Sequence, residues 1–157
     1  MELWPSSLPF ISKKLEHSSV NATSPLSLPL PLIVSFFNQK GGVGKTTHLF
    51  HFASFLSLEQ KKKVLCLDMD PQGNASSGLG IKKHETQDAN IYHVLIGEKT
   101  IQETVYQSTT KNLWVATANP DLVGAEIELV DMPQREYRLK NALLAVSSLY
   151  DYIFIDC

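Results

Sequence analysis

The stretch most suited to chemistry is a glycine-rich loop over residues 38–47, with the sequence NQKGGVGKTT. Its glycines have no side chains to block the backbone, so successive N–H groups can surround phosphate oxygens. Lys45 offers a positive charge to terminal phosphates, and the hydroxyl of Thr46 is a suitable ligand for Mg²⁺. The loop therefore predicts a phosphate-binding site.

This loop departs from the usual pattern G-x-x-x-x-G-K-[ST] at its entrance. The pattern requires a glycine where this chain has Gln39, and it does not ask for the lysine at position 40. An apolar run over 32–37 precedes the loop, and a segment with helical periodicity follows it, as a phosphate loop requires. This context favours a phosphate loop over the alternative, a glycine-rich turn that contains a lysine by accident.

Carboxylates follow two other apolar runs. Asp156 ends the run 152–156, where an acid can hold a magnesium ion, or can simply end a strand in solvent. Asp68 and Asp70 follow the run 64–67, and they would share one side of a strand if that strand continued. A carboxylate there can orient a water that attacks a γ-phosphate. On the residues alone, a polar turn between strand and helix is the favoured interpretation of this pair.

The elements that must position these residues alternate between strand and helix. Apolar runs predict four buried strands. They cover 32–37, 64–67, 113–118 and 152–156. The alternation predicts a doubly wound, mostly parallel α/β sheet, whose ligands bind beyond the carboxyl ends of the strands.

Helical periodicity predicts two longer helices, one over 46–58 and one over 135–149. A capping box at Thr100 and Glu103 predicts a short helix between them. The residues predicted on the inner faces are Leu49, Phe52, Ala53 and Leu56 in the first helix, and Leu139, Ala142, Leu143, Val146 and Leu149 in the second.

The first 31 residues differ in composition from the rest. They hold five of the eight prolines and seven serines, without a helical or strand period. We interpret 1–31 as a disordered leader, or as upstream sequence translated from a misplaced start codon.

The two cysteines have no metal-ligand spacing, so a reducing, cytoplasmic setting fits best. The net charge of −2 gives no electrostatic reason to expect nucleic acid or a membrane as partner.

Four motifs carry a resemblance to a known family. KGGVGKTT, DMDPQGNASSGLG, GAEIELV and YDYIFIDC appear in the order and near the spacing of the ParA/Soj partition ATPases, which belong to the deviant Walker A group that includes MinD. The likeness covers 32–157, which we interpret as the N-terminal portion of a ParA-like nucleotide-binding domain. It implies a P-loop NTPase fold with ATP and Mg²⁺ as cofactors.

The resemblance also implies roles for individual residues. Lys40 resembles the signature lysine that reaches the partner's nucleotide in an ATP-dependent homodimer, where a cation supplied in trans would stabilise developing charge. Asp70 would position the hydrolytic water, and Thr46 and Asp156, the Walker B acid, would hold the metal. The residues implied to contact the nucleotide are Lys40, Gly41, Gly42, Val43, Gly44, Lys45, Thr46 and Thr47.

Family members bind DNA non-specifically, respond to a stimulator of the ParB type, and separate chromosomes or plasmids. The sequence DPQGN resembles the partition branch more than the MinD branch, which argues against a membrane partner. Relatives continue after the Walker B acid, so we expect the chain to be truncated there, with a marginally stable, aggregation-prone sheet. Two alternatives stay open. One is a non-catalytic nucleotide-binding remnant, and the other is a deviant Walker A ATPase that positions another cargo.

Overall fold

A five-stranded sheet forms the centre of this computed structural model, which describes residues 30–157. The strands are β1 (Leu32–Phe36), β2 (Val64–Asp68), β3 (Val105–Gln107), β4 (Leu113–Ala116) and β5 (Tyr152–Asp156). Their order is β1-β5-β2-β4-β3, and all neighbours are parallel except β3 and β4. The predicted mostly parallel α/β sheet is confirmed. The predicted leader lies, apart from residues 30 and 31, outside the described residues.

Two layers of helices cover this sheet. The α-helices are α1 (Lys45–Leu58), α2 (Asn74–Gly78), α3 (Ile91–Ile96), α4 (Leu122–Glu128) and α5 (Arg138–Leu144). Successive strand residues face opposite layers: Leu65 and Leu67 pack toward α3, α4 and α5, while Val64 and Cys66 pack toward α1 and α2. The period-two alternation therefore builds one apolar core on each side of the sheet.

The first strand is less buried than predicted. β1 lies at one edge of the sheet, where its only partner among residues 30–157 is β5, and Leu32 and Ile33 are 59% and 48% exposed. Phe52 of α1 was predicted on the inner face, but it is 54% exposed, because it lies over this edge against the ring of Phe36 at 6.3 Å. The stripe of α1 that packs on the sheet instead contains Leu49 and Ala53, both fully buried.

The predicted helix over 135–149 is wrong in its length. It forms a 3₁₀ turn (Arg135–Tyr137), then α5, then a second 3₁₀ turn (Ser147–Leu149). The Ser147 hydroxyl donates to the Leu144 carbonyl oxygen at 2.9 Å, so a side chain competes for a backbone acceptor where α5 ends. Leu149 is consequently 51% exposed rather than on an inner face.

The capping box is confirmed, although the element that it opens is a 3₁₀ turn (Ile101–Thr104). A carboxylate oxygen of Glu103 accepts a hydrogen bond of 2.7 Å from the backbone N–H of Thr100.

Between residues 30 and 157, no helix is both long enough and apolar enough to span a membrane.

Candidate functional site

The glycine-rich loop connects the carboxyl end of β1 to the first turn of α1. Gly42 and Gly44 have φ angles of 71° and 87°, in the left-handed region that glycine tolerates best. No side chain caps α1 in the described residues, so its first N–H groups remain available to an outside acceptor. An anion in this position would also gain from the positive end of the helix dipole.

Lys45 and Thr46 begin α1, and both side chains point back to the strand ends. The Lys45 ammonium donates to the carbonyl oxygen of Asn38 at 3.1 Å. The Thr46 hydroxyl donates to Oδ2 of Asp156 at 2.7 Å. The sequence motifs around the loop and at the end of β5 therefore meet in one place.

A cavity of about 420 Å³ lies over this place. It brings together nine of the ten residues proposed from the sequence, because only Lys40 is missing from its lining. The lining residues are Gly41, Gly42, Val43, Gly44, Lys45, Thr46, Thr47, Asp70, Gln72, Asn74, Asp156 and Cys157. Lys40 is exposed at the entrance of the loop, and its backbone N–H donates to Oδ1 of Asn38 at 2.9 Å.

Asp156 is a buried carboxylate at the edge of the cavity. It is 2% exposed, and its Oδ1 has no hydrogen-bond partner among the described residues. Burial raises the pKa of its carboxyl, and the bond from Thr46 only partly opposes this. The negative charge of Asp70 raises the pKa further, while Lys45 lowers it. A buried carboxylate oxygen without a partner, beside a hydroxyl, fits a hard cation such as Mg²⁺.

The described residues contain no cluster of three or more histidine, cysteine, aspartate or glutamate side chains that could hold a metal ion. Mg²⁺ at a nucleotide site takes one or two protein ligands and completes its shell with phosphates and water. Thr46 and Asp156 are the two protein groups that would hold such an ion. The donor set does not suit a zinc site.

The structure separates the two acids that follow β2. The strand ends at Asp68, whose fully buried carboxylate accepts hydrogen bonds of 2.8 Å from both the backbone N–H and the hydroxyl of Ser76. Burial raises the pKa of Asp68, and the bonds from Ser76 oppose that rise. Asp70 instead lines the cavity, and its Oδ1 accepts from the N–H of Gln72 at 2.9 Å. The polar-turn interpretation therefore suits Asp68, while Asp70 stays a candidate for chemistry.

Three lining residues were not among the predicted site residues, namely Cys157, Gln72 and Asn74. The Asn74 amide donates to Oε1 of Gln72 at 3.1 Å, and both side chains face the cavity from the turn that precedes α2. Their signal in the sequence was the run Pro71-Gln72-Gly73-Asn74, which marks a turn directly after Asp70.

Comparison with known proteins gives consistent results. The family model described as "AAA domain" matches residues 32–157. The chain is 47% identical over 125 residues to the chromosome partitioning protein ParA of Myxococcus xanthus, covering 80% of this chain and 44% of that protein. It is 47% identical over 125 residues to the sporulation initiation inhibitor protein Soj of Bacillus subtilis, covering 80% and 49%.

A solved structure shows the same similarity in three dimensions. Cobyrinic acid a,c-diamide synthase from Mycobacterium smegmatis, with bound ADP and magnesium, superimposes with a TM-score of 0.77 at 34% identity. The match covers 82% of this chain and 51% of that protein. The chain thus spans about half the length of the relatives that it matches.

Proposed function

Because the chain belongs to the ParA/Soj family of P-loop ATPases within the AAA domain proteins, we propose that it is the nucleotide-binding part of an ATP-dependent switch that separates chromosomes or plasmids. The single observation that carries this proposal is the hydrogen bond between Thr46 and Asp156 beneath the glycine-rich loop. It places a hydroxyl and a buried carboxylate beside the cavity in which the phosphates would lie.

The proposed binding of ATP rests on the loop and on α1. Backbone N–H groups from Gly41 to Thr47 would hold the phosphate oxygens, and Lys45 would move from the carbonyl of Asn38 to the terminal phosphates. Thr46 and Asp156 would hold Mg²⁺, which supplies charge neutralisation at the β- and γ-phosphates when bound. The relative that was solved with ADP and magnesium supports these two cofactors.

Hydrolysis would use Asp70 and Lys40. Asp70 lines the cavity and can accept a proton from, or orient, a water near the γ-phosphate. Lys40 is exposed and does not line the cavity of its own chain, which is compatible with a role in the site of a second copy. Turnover would then require an ATP-dependent homodimer.

The proposed partners follow from the family alone. The names of the relatives connect them with chromosome partitioning and with sporulation. We extend this to non-specific DNA and to a stimulator of the ParB type for this chain, in the cytoplasm. The whole switch is proposed for a protein of the relatives' length, since this chain spans about half of it.

Calorimetric titration of MgATP into the 157-residue chain tests the nucleotide site. We expect saturable binding that is lost with EDTA and weakened in Lys45→Ala. Absence of binding by a folded chain would contradict the proposal. ATP-dependent retention on duplex DNA by a full-length version would support DNA as the cargo, whereas turnover without retention would favour another cargo. Binding of ATP with no turnover in the full-length version would favour a non-catalytic remnant.

A further inference from the structure

An apolar groove, the β1–α5 groove, lies between the edge strand β1 and the helix α5. Its cavity of about 420 Å³ equals the phosphate cavity in volume. Leu143 and Ile155, which are buried, line it together with Ile33 and Leu144, which are 48% and 55% exposed. Apolar side chains that stay exposed around a cavity are typical of a surface that another polypeptide segment covers.

The chain itself enters this groove at the start of the described residues. Leu30 and Pro31 both line the cavity, and Leu30 is 76% exposed. The next residue is fixed to the sheet, because the backbone N–H of Leu32 donates to the carbonyl oxygen of Asp151 at 3.1 Å. Residues 1–29, which lie outside the described residues, are therefore attached at the β1–α5 groove.

The residues just before the groove have a composition that suits it. The leader as a whole has no strand period, but Leu26, Leu28 and Leu30 occupy every second position at its end. Alternate residues share one side of an extended chain. Each proline at positions 25, 29 and 31 sets its own φ angle and restricts the residue before it to extended conformations. Such a segment loses little conformational entropy when it binds.

The charges of the segment and the groove are compatible. Residues 18–39 contain no lysine, arginine, aspartate or glutamate. The groove is lined by one acid, Glu136, and one lysine, Lys140, whose charges cancel. A neutral apolar segment therefore meets no net charge of the groove and brings none of its own.

We propose that residues 24–29 of this chain bind the β1–α5 groove, with the side chains of Leu26 and Leu28 against Ile33 and Leu144. The segment is long enough, because an extended chain advances about 3.3–3.6 Å per residue, which places Leu26 within about 14 Å of Leu30. The covalent link favours this occupant over a second copy of the chain, since a short tether corresponds to a roughly millimolar effective concentration.

Binding of this segment would protect the edge of the sheet that β1 forms. It would cover the apolar side chains beside β1, and the prolines at 29 and 31 would bring no N–H donor to that edge, which opposes pairing with another chain. None of the residues that line the β1–α5 groove lines the phosphate cavity. The inference therefore stands apart from the proposed function.

The first test places a photo-crosslinking amino acid in the 157-residue chain. Leu28→p-benzoylphenylalanine is irradiated at low protein concentration, and mass spectrometry locates the links. We expect them to join position 28 to residues 139–147 of the same chain. Leu8→p-benzoylphenylalanine is the control in the same leader, and it should give at least about fivefold fewer links to that range, because its longer tether lowers the effective concentration.

The second test measures exposed apolar surface with the dye anilinonaphthalene sulfonate, which fluoresces when it binds such surface. We expect the double variant Leu26→Ser/Leu28→Ser to raise the fluorescence about twofold, because the groove would open to the dye. The matched control Leu3→Ser/Leu8→Ser removes two leucines elsewhere in the leader and should leave the fluorescence within about 20% of the parent.

Three results would overturn the proposal. Links that join two chains would show that a second copy covers the groove. Links from position 28 that are spread evenly over the chain would show that the segment has no fixed site, and equal fluorescence of the two serine variants would show that it does not cover the groove. If Leu26→Ser/Leu28→Ser fails to fold, the crosslinks from position 28 still decide. No nucleotide is present in either test, so failure here is distinct from failure of ATP binding.

Discussion

The hydroxyl of Thr46 donates a hydrogen bond of 2.7 Å to Oδ2 of Asp156, which joins two residues 110 positions apart in the chain. This bond ties the first turn of α1 to the end of β5. The second carboxylate oxygen of Asp156 is buried without a partner in the described residues. A proton or a cation would stabilise this oxygen, so we expect the stability of the chain to depend on pH and on Mg²⁺ through Asp156.

Asp156→Asn should stabilise the unliganded chain near neutral pH. The folded-state pKa of Asp156 lies above its ordinary value of 3.8, so its contribution to stability is fully present below that value and is lost as pH rises through the folded-state pKa. The amide removes this loss while its oxygen can still accept from Thr46. We expect a higher melting temperature than the parent near pH 7 and no difference below 3.8.

The same variant should lose its response to magnesium. Measuring ATP affinity with and without Mg²⁺ separates the two roles of Asp156. We expect Mg²⁺ to raise the ATP affinity of the parent chain and to leave the ATP affinity of the Asn variant unchanged. An unchanged magnesium response in Asp156→Asn would remove this residue from the proposed metal site.

Ser76→Ala should destabilise the chain by about 1–3 kcal/mol at neutral pH, because it deletes a donor to the buried carboxylate of Asp68. The loss should shrink in acid, where Asp68 is protonated and needs fewer donors. Ser77→Ala is the matched control, since its hydroxyl bonds only to the carbonyl of Gly73. Urea denaturation at several pH values measures the difference, and equal losses in the two variants would contradict the assigned role.

Lys45→Ala and Lys40→Ala should differ in their effect on nucleotide binding. Lys45 lines the phosphate cavity and Lys40 does not. Lys45→Ala should weaken ATP binding by the chain by about tenfold or more, which corresponds to at least about 1.4 kcal/mol. Lys40→Ala should leave binding within about threefold, and in a full-length version should reduce turnover. A similar loss of ATP affinity in both variants would place Lys40 in the site of its own chain.

Gly78→Ala should destabilise the contact between α2 and α1. An added Cβ at Gly78 would overlap the ring of Phe50, so we expect a loss of roughly 1–3 kcal/mol. Phe50→Leu in the same chain should recover part of the loss. Gly124→Ala, in a roomy position of α4, should instead raise stability by up to about 1 kcal/mol. Thermal unfolding followed by circular dichroism compares the three.

Ile33→Lys should reduce self-association of the 157-residue chain. In the part of the chain that the structure describes, β1 has no strand on its outer side, so one row of its backbone groups is unpaired there. Ile33 lines an apolar cavity of about 420 Å³ beside this edge. A positive charge at position 33 should oppose edge-to-edge pairing of β1 strands from two chains. Leu58→Lys, at the far end of α1, is the control with similar exposure. If the parent chain stays monomeric at high concentration in light scattering, the β1 edge does not cause self-association and the prediction is wrong.

The sequence predicted most of the fold wherever the signal was local. Four strands and α1 follow from runs of apolar residues within one segment. The three-residue β3 was missed, because Val105–Gln107 is too short to stand out and exists through its pairing with β4. The exposure of Phe52 was missed for a different reason. It depends on β1 being an edge, and sheet order is a property of the whole chain.

The candidate site likewise has a part that local motifs predicted and a part that depends on how the chain folds. Thr46 and Asp156 could be paired in advance, because each belongs to a motif whose context fixes its place. The resemblance implied Asp70 rather than Asp68 as the acid of the site. The residues alone could not separate the two, because the separation depends on how tightly Pro71 and Gly73 turn the chain toward Ser76. Gly73 has a φ angle of 64°, which places Ser76 over Asp68 and leaves Asp70 at the cavity.

The strand order has a consequence for synthesis on the ribosome. β5 is made last of the five strands, yet it lies between β1 and β2 and pairs with both. Until Tyr152–Asp156 leave the exit tunnel, β1 and β2 have no shared neighbour, and the hydrogen bond between Thr46 and Asp156 cannot form. Sheet closure must therefore wait for a contact between distant segments, which slows folding and leaves apolar strands open to chaperones and to aggregation.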